Sequence, residues 1–149
     1  MINVATNTEK TIATYKEADS SWGLSWSPDG QYLVFSLGQT RSSNLYILNA
    51  KTLQVTQITE NDGGKNPTWS PRGSIIAYER NSPDNIAKTY LYLVSSDGKC
   101  EKEIPNLENV WSPTWSPDGG KLGYVGRDGI YFLELDKILG KDIYQNLCE

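Results

Sequence analysis

Histidine is absent from this chain of 149 residues. Its absence removes the usual general base, the Ser-His and Cys-His nucleophile pairs, and most zinc sites. No G-x-S-x-G stretch occurs either, so the elbow that presents the serine of α/β hydrolases is missing. Cysteine is scarce: Cys100 and Cys148 follow no metal-ligand spacing, and two thiols do not make a disulfide framework. No catalytic residue, cofactor or metal is expected, and the chain reads as a non-enzyme. Lys/Arg clusters are missing, charged residues make up 21%, and the net charge is −4. Binding to nucleic acid or anionic lipid is therefore disfavoured. No run reaches the ~18 apolar residues of a membrane-spanning helix, so no membrane insertion is expected. The opening "MINVATNTEK" has no basic segment leading into an apolar one, hence no visible secretory signal. A cytoplasmic location follows if this is the full chain, and a periplasmic one if it is cut from an exported parent.

What the chain does contain is one turn written three times. "WSPDG" at Trp26–Gly30 returns as "WSPRG" at Trp69–Gly73 and as "WSPDG" at Trp115–Gly119, spaced by 43 and then 46 residues. Pro pre-sets φ at the second turn position, Asp suits the third, and Gly accepts a positive φ at the exit. Arg72 replaces the Asp in the middle copy, which the Pro and Gly make tolerable. Each turn follows a short strand ending at the Trp and precedes a β-branched and aromatic one, "QYLVFS", "SIIAYE" and "KLGYVG". A third strand, "NLYILN", "YLYLVS" and "GIYFLE", aligns Tyr46, Tyr92 and Tyr131. Ile58, Ile104 and Ile143 each stand nine residues after the end of a third strand and mark a fourth, outermost one. The same nine-residue step from Asn3 to Ile12 places the N-terminus in the outer strands of a further unit.

The reading is an all-β chain of propeller blades, each of four antiparallel strands, with three blades and a partial one in a single domain. Residues 1–12 form the partial blade, 13–58 and 59–104 two full blades, and 105–149 a third blade with a C-terminal tail. The segment "LDKILGKDI" is the one place where a helical turn competes with a strand. Closed propellers have about 4–8 blades. Three blades and a fraction therefore predict either a piece of a larger propeller or a homodimer of joined copies.

The pattern "P-x-W-S-P-D-G", followed by "LYIL" and "TQIT", resembles the TolB-type, WD-like β-propeller repeat family along almost the whole chain. The first unit departs from the pattern, with Gly23-Leu24 where the others have Asn66-Pro67 and Ser112-Pro113. The start of its inner strand is thereby left open. The resemblance implies a module for protein–protein interaction, since the family's propeller binds cell-envelope proteins at its channel mouth, a peptidoglycan-associated lipoprotein among them. The alternative it implies is the substrate-gating propeller of a prolyl-oligopeptidase-like or tricorn-like protease, with the catalytic domain on other sequence. A carbohydrate-active propeller would need channel-facing carboxylates, which the spacing does not assemble.

Trp26, Trp69 and Trp115 occupy one structural position and read as packing between blades. Asp29 and Asp118 read as turn residues bonded to their own backbone. Trp22 and Trp111 differ, because each stands four residues before a motif tryptophan, where the middle copy has Lys65. Together with Asn66 they form the candidate rim for a protein or peptide partner, tryptophan being enriched among binding hot spots.

Overall fold

A computed structural model describes residues 20–39, 42–60, 63–140, 143, 147 and 148. Its first sheet orders β1 (Ser20–Trp26), β2 (Tyr32–Gln39), β3 (Ser42–Asn49) and β4 (Val55–Gln57) as a meander. The second repeats this with β5 (Gly64–Trp69), β6 (Ile75–Asn81), β7 (Thr89–Ser95) and β8 (Glu101–Glu103). The third holds β9 (Trp111–Trp115), β10 (Lys121–Val125) and β11 (Ile130–Glu134), followed by the short helix α1 (Leu135–Leu139). All pairings are antiparallel, and the sheets are consecutive propeller blades. The partial blade expected over residues 1–12 lies outside the described residues.

The repeated turn owes its shape to a serine and an aspartate. The Asp29 carboxylate accepts the Ser27 hydroxyl at 2.6 Å and the Gln31 N–H at 3.0 Å, while Ser27 Oγ accepts the Tyr32 N–H at 2.9 Å. Asp118 repeats this with Ser116 and Gly120, and the serine bond is the main reason both carboxyls sit below their ordinary range. The motif glycines all turn at positive φ, +68° at Gly30, +90° at Gly73 and +71° at Gly119. In the middle copy Arg72 donates from Nε to the Asp118 carbonyl at 2.9 Å, so the residue that breaks the motif ties one turn to the next.

Gly23-Leu24 proves to be the same device as its counterparts. Gly23, Asn66 and Ser112 all adopt left-handed backbone, with φ of 64°, 47° and 53°. At each of them the pairing with the second strand slips, between Trp22 and Leu24, between Lys65 and Thr68, and between Gly123 and Val125 of the partner strand. This is a β-bulge repeated in every blade, which bends the start of the inner strand. Gly23 and Asn66 are types that adopt the left-handed region readily, whereas Ser112 is held in it. In the first blade only glycine fits, because an added Cβ would lie 2.9 Å from the Asn66 Cα of the neighbouring blade.

The blades bury their faces against one another. Val34, Leu45 and Ile47 of the first pack on Trp69, Ile76 and Tyr78 of the second. Ala77, Leu91 and Leu93 of the second pack on Leu122 and Tyr124 of the third. Trp69 and Trp115 thus lie between blades, and Trp115 also donates from its indole nitrogen to the Thr68 carbonyl at 3.0 Å. Trp26 does not fill the same role. It points to the side of the first blade that no described blade covers, and it is 53% exposed against 7% for Trp69.

The third unit also departs from expectation. Among the described residues it has no fourth strand, α1 occupies the position after β11, and Ile143 lies in a turn. The apolar role of that strand survives, since Leu135, Ile143 and Leu147 are buried in the core shared with the second blade. Cys100 and Cys148, whose spacing suggested neither a metal site nor a disulfide framework, are joined in a disulfide with Cα atoms 5.0 Å apart. Their separation in sequence hid a contact that only the returning tail creates.

Candidate functional site

Each bulge presents the residue before it at the leading end of the inner strand, and these residues are Trp22, Lys65 and Trp111. Trp22 pairs across to Ser36, Lys65 to Glu79 and Trp111 to Val125, so the three stand at one level of successive blades. All three are half-buried. Lys65 and Trp22 meet directly, with the ammonium 4.7 Å from the indole centroid. This cation–π contact holds a charge at a surface-accessible aromatic face. Trp111 is next to Ser112 in the chain and joins the group through that residue's backbone.

Asn66 is drawn inward. Its amide nitrogen donates to Glu79 Oε1 at 2.8 Å, and the same oxygen accepts the N–H of Ser112 from the third blade. Glu79 therefore fastens two bulges of adjacent blades to each other. The first seam has a neutral counterpart, in which the buried Ser36 hydroxyl donates to the Gly64 carbonyl at 2.6 Å. Sequence reasoning missed Glu79 and Ser112. The one usable signal was a lone charged residue closing the apolar run "SIIAYE".

Glu79 is 3% exposed, and burial pushes its carboxyl above the ordinary value. The Ser112 and Asn66 hydrogen bonds and the Lys65 charge pull the other way. A carboxyl raised in the folded state stabilises the fold most fully below its unfolded pKa. That contribution is lost as pH rises through the folded value. Glu79→Gln keeps an acceptor for both donors and has no charge to bury. Its stability relative to wild type should rise in urea melts as pH is raised above the ordinary carboxylate range, whereas a relative loss on raising the pH would mean the buried charge is net stabilising.

A second concavity, a cleft of about 540 Å³, opens between the first two blades near the motif turns, over Tyr32 and Trp69. Its carboxylates are engaged locally. Asp29 serves its own turn, and Asp97 is held at about 2, chiefly by the Ser95 hydroxyl and then by Lys99. Among the described residues no group of three or more histidine, cysteine, aspartate or glutamate side chains is placed to hold a metal ion.

No family model matches the chain. The Tol-Pal system protein TolB of Francisella tularensis subsp. tularensis is 34% identical over 98 residues, covering 62% of this chain and 22% of that protein. The TolB homolog of Chlorobium luteolum is 33% identical over 114 residues, 73% of this chain and 25% of that protein. The chain thus spans about a quarter of the length of the curated relatives it matches. Among solved structures, TolB from Acinetobacter baumannii superposes with a TM-score of 0.73 at 17% identity, over 92% of this chain and 35% of that one.

Proposed function

We propose that this chain, whose repeats are of the TolB-type β-propeller family, is a non-enzymatic binding module and one arc of a larger propeller. Its working surface in this reading is the channel mouth, where Trp22, Lys65 and Trp111 stand on successive blades. The observation that carries the reading is the Lys65 ammonium over the Trp22 ring. A cation shared with an aromatic face suits a partner's carboxylate or carbonyl groups together with its apolar side chains. Asn66 serves as a positioning residue, since its amide is engaged with Glu79. The Cys100–Cys148 disulfide supports an oxidising compartment such as the periplasm. No observation favours the protease-gating alternative.

The test uses a purified peptidoglycan-associated lipoprotein, the partner class that the resemblance implies. Trp22→Ala combined with Trp111→Ala should weaken its binding at least about thirtyfold, with the β-sheet circular dichroism unchanged. Wild-type protein that ignores this lipoprotein, or a folded double variant that binds it normally, would sink the proposal.

A further inference from the structure

Trp22, Lys65 and Trp111 each pair across to a second-strand residue that stands ten residues after the motif tryptophan: Ser36, Glu79 and Val125. The first two of these also reach into the next blade. Ser36 is fully buried, and its hydroxyl donates at 2.6 Å to the carbonyl of Gly64, the residue before Lys65. Glu79, almost fully buried, accepts the N–H of Ser112, the residue after Trp111. At each seam, then, one buried polar side chain touches two mouth positions. It meets its own blade's across the strand pair and the next blade's through the main chain.

The two seams differ in what is gripped. The Gly64 carbonyl has two donors, since the buried Ser43 hydroxyl also reaches it at 2.9 Å, and losing one serine leaves it paired. At the second seam the gripped groups are themselves donors, the Ser112 N–H and the Asn66 amide, and both end on the single oxygen Glu79 Oε1. An apolar side chain would fill this seam without the cost of burying a carboxylate, but it would leave both donors unpaired. Ser112 also holds a φ of 53°, which serine does not adopt without support from its surroundings. We infer that Glu79 is the positioning residue of the channel mouth: by holding Asn66 and Ser112 on one oxygen, it sets where Lys65 and Trp111 stand relative to each other. The role rests on the mouth as the proposed binding surface, and it adds the residue that shapes that surface.

Indole N–H resonances of Trp22 and Trp111 in the isotope-labelled chain, assigned with Trp22→Phe and Trp111→Phe, read the mouth without any partner. Glu79→Leu should move and broaden the Trp111 signal. Glu79→Gln should keep it at the wild-type position, because the amide oxygen accepts both donors. Ser36→Ala should leave it in place, because Gly64 retains Ser43. Glu79→Leu should also raise the Kd for a purified peptidoglycan-associated lipoprotein about tenfold, the scale of one lost hydrogen bond to a charged group, and Glu79→Gln should restore it. If Glu79→Leu loses its β-sheet circular dichroism, Asn66→Gly takes its place, keeping the left-handed backbone while removing one donor. Its readout is the Trp22 signal, through the Lys65 ammonium that lies over that ring. An unmoved signal in the folded variant, or a Glu79→Gln signal displaced as far as that of Glu79→Leu, would overturn the inference. A displaced signal with lipoprotein binding unchanged would uphold the positioning role of Glu79 and count against the mouth as that lipoprotein's contact surface.

Discussion

Trp69→Ala should destabilise the chain by about 4 kcal/mol, while Trp26→Ala, the same substitution in the same motif, should cost less than about 0.5 kcal/mol. The two positions differ chiefly in burial. Both tryptophans end an inner strand, precede Ser-Pro and face the preceding blade position. Trp69 finds Val34, Leu45 and Ile47 there, and Trp26 finds no described blade. Removing Trp69 also deletes an indole N–H that donates to the Gly73 carbonyl at 2.9 Å. Urea unfolding compared at low and high protein concentration measures both costs and exposes any concentration term. Equal losses at the two positions would mean that Trp26 is buried in solution.

The blades were legible because their signal is repeated and local. Three turn motifs, alternation and the aligned tyrosines each state the same unit, and the structure packs Tyr46, Tyr92 and Tyr131 against Phe35, Tyr78 and Tyr124 of the adjacent strand. The bulge was hidden because three different residues perform it. Gly23, Asn66 and Ser112 share a backbone conformation rather than a side chain, so a pattern of residue identities reads one of them as a departure. Glu79 was hidden for another reason, since its partners Asn66 and Ser112 come from two blades and meet only once the blades stack. At the candidate rim, the spacing before the motif identified Trp22, Lys65 and Trp111 as equivalent positions. It did not reveal that Lys65 would lie on Trp22, because that contact crosses a seam.

Reduction of the Cys100–Cys148 bond, or Cys100→Ser, should lower stability by about 4 kcal/mol, the loop-closure value for a cross-link spanning 48 residues. For a chain of 149 residues that corresponds to a fall in Tm of about 10–15 °C. The bond matters because of what the tail does. The third blade has no described fourth strand, and its outer apolar edge is covered instead by Leu135, Ile143 and Leu147. Strand pairing would hold such a cover in place along its length, whereas here Cys148 fixes it at one point to the second blade. Losing the cross-link should therefore release the tail before the sheets melt. Hydrogen exchange should show protection falling first at Leu122 and Tyr124, with the Val34 and Ile76 region unchanged at low denaturant. A uniform loss of protection across all three blades would show instead that the disulfide acts on the whole stack, and an unchanged Tm in reductant would show that the tail is held without it.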